Sequence, residues 1–128
     1  MSSTSANAPE ARDTAGIARI FEIRTYEASP GKLQALHARF RDHTMALFKQ
    51  HGLEVVGFWV HGDDQASGDG TLVYLLAFDS RAAADAAWEA FRTDPEWIRA
   101  RADSEKDGIL TAGIQSVFME ATDYSPLK

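Results

Sequence analysis

The chain has 128 residues, of which 45% are hydrophobic and 25% charged, and its formal net charge is −6. This length and composition predict one globular domain, and the acidic balance argues against a nucleic-acid or membrane-surface protein, since both need a basic patch. The chain has no cysteine, which excludes disulfides, thiolate chemistry and cysteine-based zinc sites and is consistent with a cytoplasmic protein. No apolar run approaches the ~20 residues of a membrane span.

The first sixteen residues differ from the rest of the chain. They are small and polar, with Arg12 as the single cation. They lack the apolar middle of a secretory signal and the many arginines of a transit peptide. We therefore expect a mobile N-terminal tail over 1–16 and a single domain over 17–128.

The first predicted strand, Ile17–Tyr26, has two chemically different faces. Small or apolar side chains alternate with two charges and a phenol: Phe21, Ile23 and Thr25 against Glu22, Arg24 and Tyr26. Such alternation is typical of a strand with one face against a core. The charged face is unusual and makes this strand the first candidate for function.

An amphipathic helix is predicted next. Ser29 is suited to its N-cap with Pro30 in the first turn, and His51 and Gly52 to its C-terminal end. Steps of three and four residues predict one buried stripe: Leu33, Leu36, Phe40, His43 and Leu47.

The remaining elements complete a βαββαβ order. Strands are predicted at Leu53–His61 and Thr71–Phe78, joined by a loop over 62–70, and a last strand at Val117–Ala121. Ser80 and Asp94 are expected to cap the second helix and a further helical segment. This order predicts an α+β, ferredoxin-like sandwich with both helices on one face of a four-stranded antiparallel sheet.

Strands two and three predict an oligomer. They are apolar at nearly every position, whereas a strand with one face in water should alternate. A partner must therefore cover the face of the sheet that the helices leave open. We expect a homodimer in which two sheets close into a barrel.

The sequence resembles the NIPSNAP family over about Ile20 to Leu127. Five short segments in order carry the resemblance: Phe21–Tyr26 followed by Pro30–Lys32, Val56–Trp59 after His51–Gly52, Phe78–Ser80 before an alanine-rich helix, Asp94–Trp97, and Tyr124–Leu127. The resemblance implies the dimeric α/β-barrel superfamily, which includes cofactor-free quinone-forming monooxygenases, haem-degrading enzymes, lactone isomerases and proteins without known activity. Family members often have a histidine and a tryptophan in strand three, where Tyr74 and Leu76 stand here.

Two functions are compatible with these residues. In the first, a cavity between sheet and helices binds or converts a small aromatic or ketonic molecule without cofactor, in a monooxygenase- or isomerase-like reaction. His43 would be the base, Arg24 and Tyr26 would polarise a ligand oxygen, and Trp59 and Tyr74 would stack on the ligand.

In the second, the chain is a non-catalytic dimeric interaction module. Glu22 and Arg24 would then form a salt bridge across the dimer barrel, and His43 would only hydrogen-bond a backbone carbonyl. A cavity filled by side chains would favour this interpretation, as would mutual pairing of Glu22 and Arg24. Trp88 and Trp97 are assigned to packing in either case.

The histidines do not predict a metal or haem site. His37, His43 and His51 lack the i, i+4 spacing of a helical ligand pair, and no second-ligand motif accompanies them. We expect no metal and no cofactor.

Overall fold

The computed structural model of the chain describes residues 19–61 and 69–128. The predicted tail over 1–16 and most of the loop over 62–70 lie outside the described residues. The elements are β1 (Ile20–Ala28), α1 (Leu33–Arg39), a π-helical turn (Phe40–Thr44), α2 (Met45–Gln50), β2 (Glu54–Val60), β3 (Thr71–Phe78), α3 (Arg81–Arg92), α4 (Pro95–Ser104) and β4 (Thr111–Glu120).

The sheet has the predicted ferredoxin-like topology. Its strand order is β2-β3-β1-β4 and every neighbouring pair is antiparallel. The sheet is open, with β2 and β4 at its edges. The α+β fold class predicted from the sequence is therefore confirmed.

Alternation along the strands produces one buried and one open face. Phe78, Leu76, Tyr74 and Leu72 of β3 point toward the helices and are at most 4% exposed. They form one core cluster with buried residues of the helices. Phe48 lies within this cluster, with aromatic rings around it. The core therefore lies between the sheet and the helices.

The start of the first helix differs from the prediction. Ser29 does not cap it; its carbonyl accepts a hydrogen bond from the Lys32 N–H (2.9 Å) in a tight turn, and Lys32 is the N-cap. Gly31 has φ +73°, a left-handed conformation that favours glycine. This turn ends the strand and delays the helix to Leu33.

The middle of the helical segment 33–50 is a π-helical turn, which the sequence did not predict. The N–H of Met45 donates to the carbonyl of Phe40, five residues earlier, and the Thr44 hydroxyl donates to the carbonyl of Arg39 (3.3 Å). The wider turn rotates the following residues. Thr44 therefore takes the buried position, and the prediction that His43 lies in the core stripe is wrong because His43 is exposed.

Both predicted caps of the second half are confirmed. The Ser80 hydroxyl accepts from the Ala83 N–H (3.0 Å) and an Asp94 carboxylate oxygen from the Glu96 N–H (2.8 Å). Asp94 also lies 2.7 Å from Nε2 of His51, the C-cap of α2. The hydrogen bond with His51, together with the bond from the Glu96 N–H, lowers the pKa of Asp94.

The last strand is longer than predicted, because it starts at Thr111 rather than Val117. The part before Val117 contains Gly113, Gln115 and Ser116, which do not favour a strand by themselves. Pairing with β1, from Ala28–Thr111 to Ile20–Glu120, stabilises it instead. Among the described residues, no helix has both the length and the apolar character needed to cross a membrane.

Candidate functional site

The charged face of β1 points into the interior, toward α3. The Glu22 side chain is almost completely buried, with 1% of the residue exposed. Its carboxylate accepts hydrogen bonds from the Trp88 indole (2.7 Å), from Arg24 (3.0 Å) and from the Ser116 hydroxyl. Each of these donors compensates part of the cost of burying the charge.

Arg24 connects this carboxylate to two phenols. Its Nε donates to the Tyr74 hydroxyl (3.0 Å) and one Nη to the Tyr26 hydroxyl (3.2 Å), while the guanidinium lies 4.3 Å from the centre of a Trp88 ring. Burial favours the neutral form of this group. The neighbouring phenols and Glu22 outweigh that effect, so the pKa of Arg24 is raised and its charge is permanent.

Tyr26 and Tyr74 form a coupled pair with 2.8 Å between their hydroxyl oxygens. Burial raises the pKa of Tyr74 well above its usual value, and the adjacent Tyr26 adds to the shift while Arg24 opposes it. Tyr74 therefore keeps its proton at neutral pH. When Tyr74 donates to Tyr26, the Tyr26 O–H is left to donate elsewhere.

A cavity of about 190 Å³ lies beside this cluster, between the sheet and the helices. We call it the inner cavity. Four arginines, six aromatic residues and four others line it: Arg24, Arg39, Arg92 and Arg101; Tyr26, Phe40, Phe48, Trp88, Phe91 and Trp97; Thr44, Glu105, Thr111 and Ile114. It is therefore cationic and aromatic at once, and the side chains do not fill it.

The structure brings three of the five predicted site residues together. Arg24, Tyr26 and Tyr74 share one hydrogen-bond network. Trp59 is not part of it, because it pairs with Val73 and lies on the opposite face of the sheet. His43 is exposed and does not line the inner cavity.

The Glu22–Arg24 salt bridge does not cross a dimer interface, contrary to the second interpretation. Glu22 and Arg24 pair within one chain, 3.0 Å apart, two residues apart on the same strand. Their mutual pairing agrees with a structural role, whereas the open inner cavity agrees with a binding role.

Of the fourteen lining residues, only Arg24 and Tyr26 were predicted as site residues, and four of the others show why. Thr44 was missed because its inward position depends on the π-helical turn. Arg39 adjoins that turn in α1, where arginine normally faces solvent. Trp88 and Trp97 do pack in the core, but their rings also contact Arg24 and Arg39, at 4.3 Å and 5.2 Å from the guanidinium carbons. The helical periodicity of α3 and α4 predicts which side chains are buried, but it cannot show that they enclose a cavity.

Side chains that could together bind a metal ion do not cluster in the described residues. No cluster of three or more His, Cys, Asp or Glu residues that could hold an ion occurs within residues 19–61 and 69–128.

Solved structures with the same fold come from the NIPSNAP family and beyond it. A NIPSNAP family protein of unknown function from Agrobacterium tumefaciens is 23% identical, with a TM-score of 0.73 over 88% of this chain and 96% of that one. A NIPSNAP-like domain protein from Burkholderia xenovorans is 15% identical, with a TM-score of 0.72 over 87% and 91%. At these identities the likeness shows the fold alone.

A monooxygenase is also similar in fold. The protein of the Streptomyces coelicolor gene ActVA-Orf6, solved with the ligand nanaomycin D, is 14% identical, with a TM-score of 0.53 over 82% of this chain and 88% of that one. No curated protein matches the sequence. Residues 21–126 match the NIPSNAP family, and the chain therefore belongs to that family.

Proposed function

We propose that the protein binds a small aromatic or ketonic molecule in the inner cavity and converts it without cofactor, in a monooxygenase- or isomerase-like reaction. One observation carries the proposal: a permanent cation and the Tyr26 phenol, which is hydrogen-bonded to the Tyr74 phenol, line an unfilled cavity with aromatic walls. Clefts with aromatic walls and a few convergent polar groups are typical binding sites. The fold shared with a monooxygenase supports the reaction class by analogy only.

The cluster is suited to an oxygen atom that gains negative charge. Tyr26 lines the cavity and accepts a hydrogen bond from Arg24, which makes its own O–H a stronger donor. A ligand carbonyl or phenolic oxygen placed 2.5–3.0 Å from that hydroxyl would be polarised toward an enolate or phenolate. Tyr74 stays protonated and orients Tyr26 from behind. The cluster thus stabilises an oxyanion, and the role of His43 as base stays a prediction.

Tyr26→Phe tests the role of this hydroxyl. The change removes one oxygen and keeps the ring, so we expect a folded protein whose affinity for 4-hydroxyacetophenone falls about tenfold, as the loss of one hydrogen bond implies. Isothermal titration calorimetry measures the affinity. Tyr124→Phe is the control, because Tyr124 is 83% exposed and does not line the inner cavity. Equal affinities for the wild type and Tyr26→Phe would exclude Tyr26 as the ligand donor.

We also propose that the protein is a homodimer, as the sequence suggests. The face of the sheet opposite the helices carries exposed apolar groups, among them Trp59 and Val117 with 56% and 54% of each residue exposed. Trp59 lies over Gly57, where an added Cβ would approach the ring to 2.8 Å. A two-fold axis would bring this face against its copy.

A charge on the open face should separate the subunits. Val117→Glu would bring two carboxylates together in an apolar interface, and we expect its dimer dissociation constant to rise at least a hundredfold in analytical ultracentrifugation. Ile98→Glu is the matched control, since Ile98 is 55% exposed on α4 at the helix side. A monomeric wild type at micromolar concentration would contradict the dimer.

A further inference from the structure

Arg39 is a buried cation with an unused donor. Only 7% of the residue is exposed, and its Nε has no hydrogen-bond partner among the described residues. Its Nη1 lies 3.2 Å from the Ser104 hydroxyl and 3.4 Å from the Glu105 carboxylate. A buried N–H without an acceptor is costly, and native structures rarely leave one. Arg39 lines the inner cavity, so a small shift of its guanidinium toward an acceptor bound there would satisfy this donor.

The charges around Arg39 favour an anion as that acceptor. Glu105 lies 3.4 Å from Arg39 and 3.6 Å from Arg101, so one carboxylate faces two guanidinium groups. The same Glu105 oxygen that faces Arg39 also accepts from the Leu110 N–H (3.3 Å). Burial lowers the pKa of Arg39, and Glu105 only partly opposes that shift. The positive charge here is therefore incompletely balanced.

The inner cavity has a wider neighbour toward solvent. A cavity of about 410 Å³ between α3 and α4 shares four lining residues with it: Arg92, Trp97, Arg101 and Glu105. Two of the four are arginines with exposed side chains. Exposed arginines at the mouth of a cleft raise the local concentration of anions.

We propose that the ligand of the inner cavity is a carboxylate anion with a small aromatic body, and that Arg39 Nε donates a hydrogen bond to its carboxylate. This rests on the proposed function and specifies its ligand class. The Tyr26 hydroxyl would donate a hydrogen bond to the oxygen atom at the other end of the ligand. An aromatic carboxylate suits the site better than a phosphate, because six of the fourteen lining residues are aromatic and can pack against a flat ring. The inner cavity is smaller than the roughly 300–1,000 Å³ of a drug-sized site, so the aromatic body must be small.

A pair of matched probes separates charge from shape. 4-Acetylbenzoate and 4-acetylbenzamide have the same ketone and nearly the same size, but only the first is an anion. We expect 4-acetylbenzoate to bind at least tenfold more tightly by calorimetry. In ¹H–¹⁵N spectra, the Arg39 Nε resonance, identified by its loss in Arg39→Lys, should shift on saturation with the anion. The variant serves only to assign the resonance, and the shift itself is measured on the wild-type protein.

Two arginines on α4 supply the matched variants. Arg101 lines both cavities, whereas Arg99 is exposed and lines neither. Arg101→Gln should weaken 4-acetylbenzoate binding at least threefold and leave 4-acetylbenzamide unaffected, while Arg99→Gln should leave both within a factor of two.

The outcomes distinguish this inference from the function on which it rests. If 4-acetylbenzamide binds as tightly as 4-acetylbenzoate and Tyr26→Phe weakens both, the cavity binds aromatic ketones without selecting charge, and only the anion inference fails. An Arg39 Nε resonance that does not move at saturation overturns it too. If neither probe binds but 4-hydroxyacetophenone does, only the anion inference fails; if none of the three binds, the inference and the proposed function both fail.

Discussion

Glu22→Ala is expected to lower the free energy of unfolding by about 3–5 kcal/mol, because it removes one partner of a buried ion pair. Arg24 would keep its charge in an interior site with only phenol oxygens as acceptors. The Trp88 indole N–H and the Ser116 hydroxyl would lose their acceptor as well. Urea denaturation followed by tryptophan fluorescence measures the change.

Glu27→Ala is the control on the same strand, since Glu27 is exposed and its removal should change the free energy by less than about 0.5 kcal/mol. Replacing both partners, as in Glu22→Leu with Arg24→Met, should destabilise the protein less than Glu22→Ala alone, because no charge is then left unpaired. If Glu22→Ala is no more destabilising than Glu27→Ala, Glu22 does not belong to a buried, fully paired network.

Phe48→Ala should cost about 3–5 kcal/mol of unfolding free energy, the usual range for emptying a buried phenylalanine site. Phe48 is 1% exposed. Its ring contacts four other rings at centroid distances of 5.0–6.2 Å: Phe40, Tyr74, Trp88 and Phe91. It therefore joins the helical segment, the sheet and α3 in one packing unit.

Met45→Ala gives the comparison in the same helix, because Met45 is 39% exposed and its loss should cost less than about 1 kcal/mol. Similar losses for the two variants would mean that α2 does not pack in the described register after the π-helical turn.

Local signals in the sequence were sufficient for the fold. The bounds of β3 were predicted to the residue, and the caps at Ser80 and Asp94 were found, because extended apolar runs and capping side chains act over three or four residues. The first half of β4 was missed because Gly113 and Gln115 form a strand only through pairing with β1. Long-range pairing of this kind has no local signature.

The candidate site was predictable only in part. The alternation of Glu22, Arg24 and Tyr26 showed that they share a face, but alternation alone does not say which face meets the helices. For the same reason Trp59 and Tyr74 were predicted to share a binding site. In the structure they lie on opposite faces of the sheet, because Trp59 pairs with Val73. His43 was wrongly given a core position because a regular helical repeat was assumed across 40–44, where the π-helical turn shifts Thr44 inward.

The location of a bound probe tests the central claim, that the charged face of β1 serves a binding site between sheet and helices. Crystals of the wild type grown with 4-bromoacetophenone would reveal the bromine by its anomalous scattering. We expect a peak in the inner cavity, with the ketone oxygen about 2.5–3.0 Å from the Tyr26 hydroxyl. A peak beside Trp59 on the open face of the sheet, with the inner cavity unoccupied, would contradict the claim.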